Sequence, residues 1–136
     1  MCGLLHDVGQ PAVLQASLEL FAKHHREPDE GVLDAWTIEF HAKVGALMLE
    51  RWNFPQWMAA SVLHHHAPEA AGEHIEHALT AQMADLLAHA STHPDPIADA
   101  TLGQHPALGE LGIYSDEFQT LLERRDKVLE LAKAFQ

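Results

Sequence analysis

Four groups of side chains have the types that metal chemistry needs: His6-Asp7, His41, His64-His65-His66 and Asp85. Each falls on a separate helix or helix end in the pattern described below. Helical bundles build metal centres in this way, from inward-facing imidazoles and carboxylates contributed by several helices. An adjacent His-Asp pair can offer both side chains to one cation at a helix end. Imidazole combined with carboxylate suits iron, manganese or zinc, and the single cysteine, Cys2, offers no thiolate site to compete. In an enzyme, a cation held in this way lowers the pKa of a bound water that can then attack a phosphodiester.

Each group also has a structural reading. His41 on an apolar helix stripe fits a hydrogen-bonded core residue. The triple histidine fits a solvated helix end, where imidazolium interacts favourably with the helix dipole, and His24-His25 reads the same way. His74, His77, His89, His93 and His105 read as surface or loop residues. Asp85 is more informative, because a mid-helix carboxylate that points inward needs a cation beside it.

The elements that must position these groups are all helical. Met1 to Leu5 is an apolar run with no capping residue before it, and it reads as the end of a helix whose start lies in a longer parent chain. Gly9 and Pro11 break the pattern, Gly9 as a left-handed helix terminator and Pro11 as a first-turn residue. Val13, Leu14, Leu18, Leu20 and Phe21 then give the apolar face of a second helix. Arg26 to Gly31 reads as a loop, and a helix over Trp36–Trp52 places Ile38, His41, Val44, Gly45, Met48 and Leu49 on one face. Beyond Asn53-Phe54-Pro55, a short helix runs from Gln56 to His66, and after Gly72 a longer one covers Glu73 to Ala90 with Met83, Leu86 and Leu87 inward. The Pro- and Gly-rich stretch from Ser91 to Gly112 reads as loop with short helical pieces, and Ser115 caps a last amphipathic helix through Leu131. No alternating strand pattern occurs, so the expected class is all-α.

Composition narrows the function. With 136 residues, 47% of them hydrophobic, the chain can supply one domain-sized core, and residues 1–136 read as a single domain. Eight basic residues against twenty acidic ones leave a net charge of −12, which disfavours direct nucleic-acid binding; the densest basic cluster, Arg124, Arg125 and Lys127, is flanked by acids. No apolar run approaches the roughly 20 residues of a membrane span. No secretory leader is evident, and a lone Cys2, read as a small packing residue, fits a reducing cytoplasm.

Four segments, in order, resemble the HD superfamily, and specifically the HD-related output domain, HDOD. Gly3-Leu4-Leu5-His6-Asp7-Val8-Gly9 is similar to that family's Gly-Leu-Leu-His-Asp-Ile-Gly. His41 to Pro55 resembles its His-Ala-Glu-Val-Gly-Ala helix and Trp-x-Leu-Pro break. His65-His66-Ala67-Pro68-Glu69 is similar to His-His-x-Pro-Glu, and Ala84-Asp85-Leu86-Leu87 to Ala-Asp-x-Leu. The resemblance implies an HD-like helical bundle forming the second of two lobes, with the first lobe upstream in a parent chain. It implies a bacterial signal-transduction or regulatory output domain that is non-catalytic and acts through a protein partner.

Enzymatic relatives, including HD-GYP cyclic-di-GMP phosphodiesterases, hold two or more metals at positions matching His6, Asp7, His41, His65, His66 and Asp85. Those six are therefore the expected ligands of a divalent Fe, Mn or Zn ion, in a site that is either working or vestigial. The alternative function is a metal-dependent phosphohydrolase acting on a cyclic dinucleotide or nucleotide. Two departures count against it: Gln10 stands where the phosphodiesterases commonly have lysine, and Ala70-Ala71-Gly72 stands near the place of their Gly-Tyr-Pro element. No catalytic residue and no organic cofactor site is assigned. If an upstream lobe normally covers apolar surface, a homodimer is one way to hide what is left.

Overall fold

A carboxylate just outside its first turn starts the helix that organises this protein. Asp29 sits in extended conformation and accepts a hydrogen bond from the Val32 N–H at 3.1 Å. This side-chain cap satisfies one of the amides that a helix start leaves free. The capped helix, α3, runs Glu30–Arg51 and starts six residues ahead of the expected Trp36. Pro28 and Gly31 suggested a loop, yet Gly31 is tolerated in the first turn behind the cap.

The computed structural model describes residues 1–93 and 95–133. The expectation for Cys2 concerns a side chain outside that description. In chain order the elements are α1 (Cys2–Leu5), α2 (Gly9–Lys23), α3, α4 (Gln56–Leu63), a 3-10 turn segment (Pro68–His74), α5 (Ile75–Thr92), α6 (Pro96–Leu102), α7 (Pro106–Glu110), α8 (Ser115–Glu123) and α9 (Arg125–Lys133). Among the described residues there is no strand, so the fold is all-α, and no helix is long and apolar enough to cross a membrane.

The chain divides into two compact units, residues 1–81 and 82–136. In the first, α3 packs on α2 and α4, and the core is formed by Ala46, Leu49, Met58, Ala59, Val62 and Ala81, with Leu5, Phe54 and Trp57 against it. Leu49 and Val62 are completely buried. α2 and α3 approach backbone to backbone. Gly9 is not the left-handed terminator expected from sequence; it is the first residue of α2, and a Cβ there would collide with the His41 carbonyl oxygen and stand 2.6 Å from the Gly45 nitrogen. The left-handed glycines are Gly72, inside the 3-10 segment, and Gly112, past the end of α7.

Three further expectations change. Ile38 lies away from the core at 74% exposure, and Leu14, Leu18 and Leu20 on α2 stay exposed. The apolar period of α2 and α3 is broad enough to cover more of each helix than this chain buries. α4 ends at Leu63, so His64, His65 and His66 form a turn after it. In the second unit, the last amphipathic stretch is interrupted at Arg124 into α8 and α9. The capping residue there is Tyr114, not Ser115: Glu117 turns back to accept from the Tyr114 N–H at 3.1 Å. Phe118, Leu102, Ala107 and Leu108 are buried in this unit.

Candidate metal centre

His41 lies on the inner face of α3 with only 4% of its surface exposed, and α3 also buries Gly45 and Leu49 one and two turns further on. Its Nδ1 lies 2.9 Å from the Thr37 carbonyl oxygen and 3.0 Å from that of Ile38. Carbonyls only accept, so Nδ1 carries the proton and Nε2 keeps its lone pair. His65, fully buried in the turn after α4, repeats the arrangement: its Nδ1 donates to the Val62 carbonyl at 2.7 Å. His6 does the same toward the Gly3 carbonyl at 2.9 Å. Three helix ends and helix faces thus set three imidazoles in the tautomer that points Nε2 away from its own backbone.

The Nε2 atoms converge. His41 Nε2 lies 3.4 Å from His65 Nε2 and 3.1 Å from His66 Nε2. Asp7 adds a carboxylate whose Oδ1 is 3.5 Å from His41 Nε2 and 3.9 Å from His65 Nε2, and whose Oδ2 is 3.2 Å from His6 Nε2. Ligands about 2.0–2.1 Å from one cation stand roughly 2.8–3.4 Å apart between octahedral and tetrahedral angles, a range that includes the spacing of these nitrogens. Two lone pairs facing each other at such distances repel unless a proton or cation lies between them. His41, His65 and His66 could therefore hold one metal ion with their Nε2 atoms, and Asp7 lies close enough to share or balance its charge. Burial lowers the pKa of His65, and the neighbouring His66, His6 and His41 lower it further, against the opposing bond to Val62. Both effects favour the neutral imidazole, the form whose lone pair a metal needs.

Residues 1–68, half of the chain, match the family model of the HDOD domain. This chain belongs to the HDOD family. A protein of Treponema pallidum (strain Nichols), described as uncharacterized, is 32% identical over 81 residues, a match that covers 54% of this HDOD chain and 16% of that protein. The chain thus spans a small part of that relative's length. No solved structure matches it.

Five of the six side chains expected from the HDOD motifs, His6, Asp7, His41, His65 and His66, come together in the first unit. His64, left open by spacing alone, is not among the convergent donors; the turn after α4 turns His65 and His66 inward, and His66 keeps an exposed edge. Asp85, the sixth, lies part-buried on α5 in the second unit. The supporting carbonyls of Gly3, Thr37, Ile38 and Val62 have no signal in a sequence, because any residue type supplies one. Gly9 and Gly45 do have one: a glycine four residues after His41 and another two after Asp7 mark where two backbones approach too closely for a side chain. Gln10, beside Gly9, is exposed.

Proposed function

We propose that this HDOD chain is a regulatory output domain of bacterial signal transduction that works without catalysis, by protein contact, and that a divalent metal at the His41 centre clasps its first unit. The observation that carries the clasp is the convergence of Nε2 atoms from α3 and from the turn after α4 on the Asp7 carboxylate that follows α1, while the regulatory role rests on the HDOD family match. A cation held by His41, His65 and His66 would neutralise the lone-pair repulsion and tie these segments at one point. Asp7 and His6 complete the proposed ligand set within the first unit, and iron, manganese and zinc all suit imidazole with carboxylate. Cytoplasmic location and a protein partner belong to the same proposal.

A second reading, metal-dependent phosphohydrolysis, is favoured by the same retained donors. A metal in this donor set supplies an acidified water when bound. Against it stands Gln10, a neutral side chain where a cation could pair with phosphate.

Elemental analysis of the tag-free chain, a thermal melt with and without chelator, and an assay on cyclic di-GMP with added manganese or iron separate these readings. Near-stoichiometric metal with a chelator-sensitive melt and no turnover supports the regulatory clasp. Turnover that is lost in His65→Ala assigns the phosphohydrolase. Absence of metal together with an unchanged melt sinks the clasp and the phosphohydrolase and leaves an output domain that acts through protein contact alone.

A further inference from the structure

α3 carries a second apolar stripe. Besides the buried face through His41, Gly45 and Leu49, it presents Leu33, Trp36, Phe40, Val44 and Leu47, spaced three or four residues apart. At about 100° per residue these five share one side of the helix. Phe40 is 42% and Leu47 64% exposed. Trp36, Phe40 and Val44 form one wall of a groove of about 500 Å³, and Ala12, Ala16 and Leu20 of α2 form the other. No lining residue is charged, in a chain whose net charge is −12.

On one flank of the stripe stand Glu39 and Lys43, both 64% exposed and 3.8 Å apart. Their spacing decides what can cover the face. In a symmetric pair, residue i meets j and j meets i. Antiparallel helices set like flanks against each other, so Glu39 can lie opposite Lys43 of a second copy while Lys43 lies opposite that copy's Glu39. The two-fold axis then passes beside residue 41, within one residue of the stripe's midpoint at Phe40. In a parallel two-fold pair this flank would instead face the opposite flank of the partner's helix, and Glu39 would have no Lys43 across from it. Length agrees as well: the 22-residue α3 is about 33 Å long and the 15-residue α2 about 22 Å, each covering a strip roughly 10 Å wide. Covering both strips from both sides hides about 1,100 Å², just above the roughly 1,000 Å² that a specific contact needs.

We propose that the α2/α3 face is a homodimer interface, in which a second copy of this chain lies antiparallel across α3 with Phe40 at the centre and Glu39–Lys43 pairs on the flank. This contact does not depend on the metal reading. Sedimentation equilibrium of the purified chain at low salt tests it, with circular dichroism confirming that each variant is folded. The wild type is expected to be dimeric at tens of micromolar, on the order of other specific contacts. Leu47→Glu, at a position exposed in the single chain, is expected to weaken the dimer about tenfold or more. Glu39→Lys places like charges on the flank and is expected to weaken it about three- to tenfold, and adding Lys43→Glu is expected to restore it. A wild type that stays monomeric at about 100 μM overturns the proposal. So does a dimer indifferent to Leu47→Glu, or a charge swap that fails to restore what Glu39→Lys removed.

Discussion

Gly9 and His41 touch through their backbones: the α carbon of Gly9 faces the His41 carbonyl so closely that no side chain fits between them. The contact locks the first turn of α2 against the α3 turn that carries a candidate ligand, and Gly9 is two residues from Asp7. Gly9→Ala should therefore force the helices apart and disturb both donors. We expect a loss of roughly 3 kcal/mol or more by urea unfolding, at the severe end of overpacking, with metal retention reduced. Gly45→Ala should cost less, since its Cβ would meet the Val62 Cγ1 at 2.9 Å, and a side-chain methyl moves more easily than a backbone carbonyl. Equal costs for the two variants would mean that the Gly9 contact has slack.

Ligand substitutions should separate the centre from the other histidines. His65→Ala and Asp7→Asn are each expected to weaken metal binding by about tenfold or more. His105 instead caps α7, accepting from the Ala107 N–H at 3.2 Å. His105→Ala should leave metal stoichiometry unchanged and lower stability by about 1 kcal/mol. Elemental analysis after dialysis, with a competitive chelator titration, reads each case. Undiminished binding in His65→Ala would remove that residue from the ligand set.

Asp29 shows where the sequence was legible and where it was not. The helix carrying His41 was readable because its inner residues recur at helical spacing, and the candidate ligands because each sits in a motif with its neighbours. The start of α3 was not, since Arg26 to Gly31 holds Pro28, Gly31 and three acids, a composition shared by loops and capped first turns. Whether Asp29 bonds forward to Val32 depends on the chain's direction at one residue. Exposed Leu14, Leu18 and Ile38 were misread for a different reason: periodicity marks apolar faces but not what covers them. The cap makes its own prediction. Asp29→Ala should cost about 1 kcal/mol in urea unfolding, and Asp29→Ser should recover most of it.

Acid should weaken the metal-free protein through His65. The unfolded residue titrates near its ordinary 6.5, while burial holds the folded residue lower. Between those two values the unfolded chain binds the proton and the folded chain does not, so stability rises with pH. The contribution is complete above 6.5 and is lost as pH falls below it toward the folded value. In chelator, the urea midpoint is expected to be lower near pH 5.5 than near pH 7.5, and His65→Gln should flatten that difference. The same slope in the variant would assign the effect to other groups.

The second unit has one ion pair that can be tested on its own terms. Arg125 Nη2 donates to Asp99 Oδ1 at 2.7 Å, with the two side chains only 15% and 20% exposed, and this bond joins the start of α9 to α6. Arg125 is imperfectly housed, because its Nε is buried with no hydrogen-bond partner among the described residues. The two halves of the pair should therefore not cost the same to remove. Asp99→Ala leaves a largely buried guanidinium without its carboxylate and is expected to cost about 2–3 kcal/mol. Arg125→Met fills similar space, removes the orphaned Nε as well as the charge, and leaves a carboxylate with some solvent access, so it is expected to cost about 1 kcal/mol or less. Urea melts of the two variants and of the double variant read this directly. If Arg125→Met proved the costlier change, the arginine would be contributing more through its packing and its bond to Asp99 than its unpaired Nε takes away.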